Sequence, residues 1–309
     1  MNFRLPQFIF GLTCAFVFGA ACVRAQTVAP RASVAVLDLG ETEAGGRAAD
    51  ELSAALAGTP HLSIVNRAQS RAAARGVGYA GSLNLTLAEA RDLGASIGCD
   101  FYFTGAADTL RRSSTARPDY FESYATLFLV SAQTGKLILW EHLDAESIAP
   151  GEAERSLHAS LRARAAHYVQ LIGKARADGG SVRPHAATGR EGEASAAFED
   201  VPEEGSPAAA NFRPPQPYRS LRPAYPATAA RAAVEATVDA LVEVDAAGEV
   251  KDIEIVRWAG YGLNEAVTAI VRQLHFRPAT RAGRAVPVRV LLRYNFRRPS
   301  DEAKGKGER

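Results

Sequence analysis

Glu235-Ala236-Thr237-Val238-Asp239-Ala240-Leu241-Val242-Glu243-Val244, then Asp245-Ala246-Ala247-Gly248, then Val250-Lys251-Asp252-Ile253-Glu254-Ile255-Val256-Arg257 decides the fold of the last third of this chain. The first run is rich in β-branched residues and reads as a strand. Asp245 to Gly248 reads as a turn, with Gly248 suited to positive φ. The second run alternates imperfectly but is strand-like. Working outward, Tyr225-Pro226 ends an extended segment, because the residue before a proline is pushed toward β or polyproline geometry. Ala227 to Ala233 reads as a short helix. Leu263-Asn264-Glu265-Ala266 opens a second helix, which carries Val267, Ile270, Val271 and Leu274 inward, and Pro278 stops the helical pattern. Ala285 to Phe296 is a long β run. Arg289, Arg293 and Asn295 fall on one face and Val288, Val290, Leu292, Tyr294 and Phe296 on the other.

Residues 26–175 form a separate block. Ser33 to Leu39 is a nearly continuous apolar run, as expected of a strand buried on both faces. Ala48 to Leu56 has helical spacing, and Leu62 to Val65 is a second strand. Asn66-Arg67 opens a helix through Arg75, and Gly76 to Gly81 is a glycine-rich loop. Thr86 and Glu89 form a capping box for a helix that Gly98 ends. Phe101 to Ala106 is a third strand. Tyr120 to Val130 and Lys136 to Asp144 pair as a hairpin through Ala132 to Gly135. Leu157, Leu161, Tyr168 and Leu171/Ile172 line a final amphipathic helix. This order predicts an α/β layer on a mixed sheet. The whole chain therefore reads as α+β, with two folded parts.

Between them, residues 176–213 are rich in Ala, Gly, Glu and Pro and poor in large apolar residues, which predicts a disordered linker. As a flexible coil it would span about 35 Å root-mean-square. Its acidic side chains include Glu191, Glu193, Glu199, Asp200, Glu203 and Glu204. The charged tail 299–309 reads as disordered.

Residues 1–25 read as a secretory signal peptide. Arg4 is followed by the apolar segment Phe8 to Ala21 and by Val23-Arg24-Ala25 as a cleavage site. The apolar segment is shorter than the ~20 residues of a spanning helix. Two alternatives stay open: acylation at Cys22 after Gly19-Ala20-Ala21, and retention of the segment as an anchor. Only in those cases is membrane contact expected. Removing the segment also removes Cys14 and Cys22 and leaves Cys99 as the single thiol, so no internal disulfide is expected. Hydrophobic content of 47% and a formal net charge of +2 suit soluble globular parts and give no field that would gather nucleic acid.

No catalytic constellation emerges. His61, His142, His158, His167, His185 and His275 lack metal-ligand spacing, and there is no cysteine cluster. Gly76 to Gly81 lacks the lysine of a phosphate loop, and no nucleophile elbow is present. Asp50, Glu51 and Glu43 near Arg47 read as the polar face of a helix before they read as acid–base groups. The expectation is a non-enzyme with no metal and no cofactor.

The C-terminal part resembles the C-terminal domain of the TonB family of periplasmic energy transducers. Tyr225-Pro226, Val234 to Val238, Val244-Asp245 with Gly248 and Val250, Leu263 to Ala266, Phe276-Arg277-Pro278-Ala279, and Gly283 with Val286-Pro287-Val288 follow in register over residues 214–298. Ala236, Asn264 and Leu274-His275 depart from the family, whose usual Trp is missing at the last position. The resemblance implies two helices on a three-stranded antiparallel sheet whose final strand lies at an edge. It also implies that the edge binds an extended segment of an outer-membrane receptor or other envelope protein by strand addition. The residues so implied are Val286, Val288, Arg289, Val290, Leu292, Arg293, Tyr294 and Phe296, with Tyr225 and Pro226 beside them. Arg289 and Arg293 would fix register against an acidic peptide, or simply keep the edge soluble. Self-association stays open.

The N-terminal block resembles the N-terminal domain of TolB and the curli-secretion lipoproteins. Val34 to Asp38, Ala49 to Leu52, Ile64 to Arg67, Glu89 to Arg91, Gly98 to Phe101 with Thr104-Gly105, and Thr134 to Leu137 carry this likeness. Together the two resemblances imply a periplasmic adaptor. Phe8 to Ala21 holds no His and no charge that could couple to a proton channel, and the linker has no long Pro-Glu-Lys spacer, so a TonB-type domain used without the motor is expected. An anchored transducer serving active transport is the alternative.

Overall fold

A computed structural model describes residues 31–113, 119–181 and 198–298. The signal segment 1–25 with Cys22, the linker residues 182–197 and the tail 299–309 lie outside the described residues.

The apolar run that opens the folded chain forms β1 (Ala32–Leu39), an interior strand of a five-stranded mixed sheet. Around it the chain adds α1 (Glu43–Ala57), β2 (Leu62–Ile64), α2 (Arg67–Gly76), α3 (Leu87–Ile97), β3 (Phe101–Arg112), β4 (Tyr120–Ser131), β5 (Leu137–Ser147) and α4 (Pro150–Ser181). The order is β2-β1-β3-β4-β5. The pairs β1–β2 and β1–β3 are parallel, and β3–β4 and β4–β5 are antiparallel. The expected capping box is present: the Thr86 hydroxyl accepts from the Glu89 N–H at 3.1 Å and Glu89 accepts from the Thr86 N–H at 2.7 Å. One face of the sheet buries Val34, Val36, Phe103, Leu127 and Leu129 against Leu52 and Leu56 of α1 and Leu157, Leu161 and Tyr168 of α4. Burying a large apolar side chain contributes roughly 1.5–3 kcal/mol, so this layer dominates local stability.

The second lobe begins earlier than the sequence predicts. Its elements are β6 (Glu199–Asp200), β7 (Phe212–Arg213), β8 (Gln216–Pro217), α5 (Ala227–Arg231), β9 (Ala236–Val244), β10 (Val250–Arg257), α6 (Leu263–Val271), β11 (Phe276–Arg277), β12 (Thr280–Arg281), β13 (Arg284–Ala285) and β14 (Val288–Phe296). The main sheet runs β10-β9-β14-β6. Its first three strands are antiparallel, as expected, and two helices pack on them. Gly248 sits at φ +89° between β9 and β10, where a Cβ would collide with the Phe276 carbonyl oxygen, so only glycine fits.

Two expectations need correcting. The segment 176–213 is not a linker throughout. Helix α4 continues to Ser181, and residues 198–213 contribute β6 and β7, which pair with β14 and β12. Sparse apolar content hid this, because a two-residue strand is held by backbone bonds that carry no side-chain signature. For the same reason β14 is not a bare edge, since β6 covers its first residues.

The lobes also share one hydrophobic core. Phe128 and Ala132 of β4 and its turn, Leu93 of α3, and Val242, Val267 and Phe276 of the second lobe belong to one buried cluster. The link is the loop after β10. Trp258, 1% exposed, stacks on Phe128 at 5.7 Å between ring centroids, and Tyr261 lies 5.8 Å from Phe128 and 5.7 Å from Trp140. The Trp258 indole N–H donates to the Gly135 carbonyl at 3.0 Å. Asn84 acts as a short mimic of a strand. Its amide nitrogen donates to the carbonyls of Thr237 and Trp258 at 2.7 and 2.9 Å, and its oxygen accepts from the Thr237 N–H at 3.0 Å. Lys136 pairs with Glu254 at 2.6 Å across the same seam.

Candidate protein-binding edge

Strand β14 pairs with β9 along its whole length, from Val288↔Val244 to Phe296↔Ala236. The pleat then sorts its residues. Val288 and Phe296 are buried, and Val290, Leu292 and Tyr294 pack against the core that α5 and α6 cover. Five of the expected site residues therefore turn their side chains to the core. Val286 packs partly into the same core.

The opposite face carries cross-strand pairs. Arg289 Nε donates to Glu243 at 2.9 Å. Arg293 grips Asp239 with two bonds of 2.7 and 3.0 Å, and Arg257 approaches the same carboxylate at 3.4 Å. Asp239 is 3% exposed, and the Arg293 hydrogen bonds hold its carboxyl below the usual range. The Thr237 hydroxyl donates to the Asn295 side-chain oxygen at 2.8 Å. Both arginines that the sequence offers for an acidic partner are thus already engaged within the sheet. Between them Leu291, opposite Leu241, is 51% exposed.

The backbone completes the picture. The Arg289 carbonyl faces outward, since it accepts from the Val201 N–H at 3.2 Å. The two-residue alternation puts the N–H and C=O groups of Leu291, Arg293 and Asn295 on that same outer edge. No described segment pairs with them beyond β6, which ends at Asp200. Asn295 shares the face that the alternation assigns to Arg289 and Arg293, and Leu291 falls on it by the same spacing, although neither carries the charge that marks the two arginines.

Tyr225 and Pro226 stand at the far end of this strand. Pro226 caps α5, the Tyr225 hydroxyl donates to the Val234 carbonyl, and its ring lies 6.2 Å from Phe296. They fix how α5 seats on β14.

On the β10 side of the sheet an open cleft of about 820 Å³ is lined by Lys136, Asp252, Glu254, Glu265 and Arg289 among others. Elsewhere, Glu89, Glu154, Asp239 and Asp245 are all held below the ordinary carboxylate range, by a backbone donor for Glu89 and by Arg47, Arg293 and Lys251 for the others. Carboxylates stabilised in this way hold ion pairs and caps and are poor proton donors. Asp50 and Glu51 pair with Arg67 and Arg162, and Glu43 pairs with Arg47. Burial pushes the Cys99 thiol up to about 12, far from a reactive thiolate. Among the described residues no His, Cys, Asp and Glu cluster could hold a metal ion, and no helix is long and apolar enough to cross a membrane.

Comparison with known families bears on the lobe just described. Residues 222–297 match the family described as Gram-negative bacterial TonB protein C-terminal. The second lobe is a TonB-type C-terminal domain. That match starts after β8 and ends with β14, so the first lobe and β6 lie outside it. No curated protein matches the chain. Among solved structures, the hypothetical protein CT253 from Chlamydia trachomatis is 15% identical, covering 43% of this chain and 95% of that one, with a TM-score of 0.32. The TonB CTD of Pseudomonas aeruginosa is 19% identical over 29% of this chain and 90% of that one, with a TM-score of 0.25. The LpoB C-terminal domain from Salmonella enterica is 15% identical over 39% of this chain and 87% of that one, with a TM-score of 0.26.

Proposed function

We propose that this chain is an exported, envelope-facing adaptor that binds protein partners by strand addition at the outer edge of β14. The observation that supports the reading most is the row of outward N–H and C=O groups at Leu291, Arg293 and Asn295 in a TonB-type domain. Such groups bond an extended segment directly, and each backbone bond contributes about 0.5–1.5 kcal/mol net. The exposed Leu291 offers the apolar contact beside them. The first lobe, TolB-like in its sequence pieces, is the part that joins a second envelope component. With the lobes welded at Trp258 it would hold the edge in a fixed place and not on a loose tether.

The test is site-specific photo-cross-linking in the native envelope. A cross-linking residue at position 291 is expected to give one discrete adduct with an outer-membrane protein. The same residue at exposed Val77 serves as the control. Equal adducts from both positions, or none from 291, would overturn the edge reading. Intact-mass measurement of the native protein decides its attachment: a chain starting at Gln26 is a periplasmic adaptor, one that keeps residues 1–25 is an anchored transducer, and one with an acylated Cys22 is a lipoprotein tethered to a membrane face.

A further inference from the structure

The edge of β14 already holds a strand. Glu199 and Asp200 pair in parallel with Val288 and Arg289. The Glu199 N–H donates to the Pro287 carbonyl at 3.1 Å, and the Val201 N–H donates to the Arg289 carbonyl at 3.2 Å. The Glu199 carboxylate accepts from Arg281 Nε at 2.9 Å and meets its Nη2 at 2.8 Å. Arg281 in turn lies 5.1 Å from the Phe212 ring centroid, a cation–π contact that keeps it aimed at the strand. Val201 tucks its side chain against the core. The ladder then stops because the chain turns back, with the Ser206 N–H bonded to the Glu203 carbonyl and Gly205 at φ +82°.

This cover is slight. Its backbone bonds lie within the short parallel register of Glu199 and Asp200 and at the Val201 N–H, beside one half-exposed ion pair and one partly buried valine, whereas β9 holds the other side of β14 over nine residues. It also lies in line with the open groups at Leu291, Arg293 and Asn295. An incoming strand that extends past those three positions to Arg289 meets Val201, whose N–H already occupies the Arg289 carbonyl.

We propose that residues 198–201 are a resident strand that competes with a partner for the first positions of the β14 edge, so that full-length strand addition requires its release. The inference rests on the edge reading above. Release frees the Pro287 and Arg289 carbonyls and the Arg281 guanidinium together. The partner segment that replaces the resident strand is therefore an extended peptide with a carboxylate at the place of Glu199.

The experiment uses the full chain and a fluorescein-labelled peptide of residues 197–203 as probe. Val201→Pro removes the N–H that bonds Arg289 and is expected to bind the probe at least tenfold more tightly than the unmodified chain. Near-UV circular dichroism checks that the variant is folded. Arg281→Glu is a second route, read by hydrogen exchange. It should speed exchange of the Val201 amide at least tenfold, and Arg281→Glu with Glu199→Arg should restore protection. Equal probe binding by both chains, or no binding by either at millimolar probe, overturns the proposal, because a tethered strand acts at about millimolar effective concentration. Cross-link yield from position 291 separates the two readings. A yield that rises in Val201→Pro supports the resident strand. A discrete yield unchanged by Val201→Pro and by Arg281→Glu sinks the resident strand and leaves the edge reading standing. No yield in any variant sinks the edge reading, and this proposal with it.

Discussion

The loop Trp258–Gly262 and the strand β14 belong to the same lobe and treat their polar groups in opposite ways. In the loop, the indole N–H, the Trp258 N–H and the Trp258 carbonyl all find partners on the first lobe, at Gly135, Leu85 and Asn84. Its rings are stacked out of water. In β14, one row of backbone groups faces outward and, among the described residues, is covered only at its start. A sealed contact of this kind fixes geometry, because opening it strands apolar area and unpaired donors together. An open edge exchanges partners, because its bonds trade with water at small net cost. One lobe thus presents both a sealed joint and an open edge.

The sharpest way to break the comparison is Trp258→Ala. Truncating a fully buried tryptophan costs about 3–5 kcal/mol. The expected result in denaturant unfolding is a lower midpoint with two separated transitions, one per lobe. A single transition at the original midpoint would mean that the seam carries little. Gly260→Ala tests the same seam more gently. Gly260 has φ +65°, and an added Cβ would stand 2.5 Å from the Phe128 ring. Strain and displacement together should cost about 1–3 kcal/mol, read as a fall in Tm.

Asp239 links the two regions, being buried under Arg293 of β14 and near Arg257 of the seam. Its carboxyl is held below the ordinary value, chiefly by the Arg293 hydrogen bonds. Stability from a depressed carboxyl is fully present above the unfolded value of about 3.9 and is lost as pH falls through the folded value. Asp239→Asn should therefore be about 1–2 kcal/mol less stable at neutral pH, and the gap should close in acid. A gap that is constant with pH would show that packing, not charge, is what the residue supplies. Leu291→Lys should have the smallest effect on stability, within about 0.5 kcal/mol. It should nonetheless lower the cross-link yield from position 295, which reports on binding alone.

Much of this architecture was legible from local sequence signals. The Thr86/Glu89 box, the Asp245 to Gly248 turn and the alternation of β14 each act over a few residues, so the rules of caps, turns and pleats identify them. The TonB-type pieces were legible for the same reason, as short runs in order. The seam left no such trace. Trp258 meets Gly135 across 123 positions and Asn84 meets Thr237 across 153, and no periodicity connects residues so far apart. Side-chain composition makes the segment through 213 read as linker, whereas β6 is held by backbone groups and one ion pair. Arg289 and Arg293 read as free charges, for a partner or for solubility, because nothing local in the sequence shows that Glu243 and Asp239 stand opposite them.

The sequence by itself determined the two folded parts, their elements and the alternating faces of β14, since these follow from local geometry and the spacing of apolar residues. Only the tertiary structure decided that the parts share a core, that the edge arginines are already paired, and that an acidic segment of the same chain rests on the edge. Those outcomes depend on which distant surfaces meet, and that is set by the packing of the whole chain.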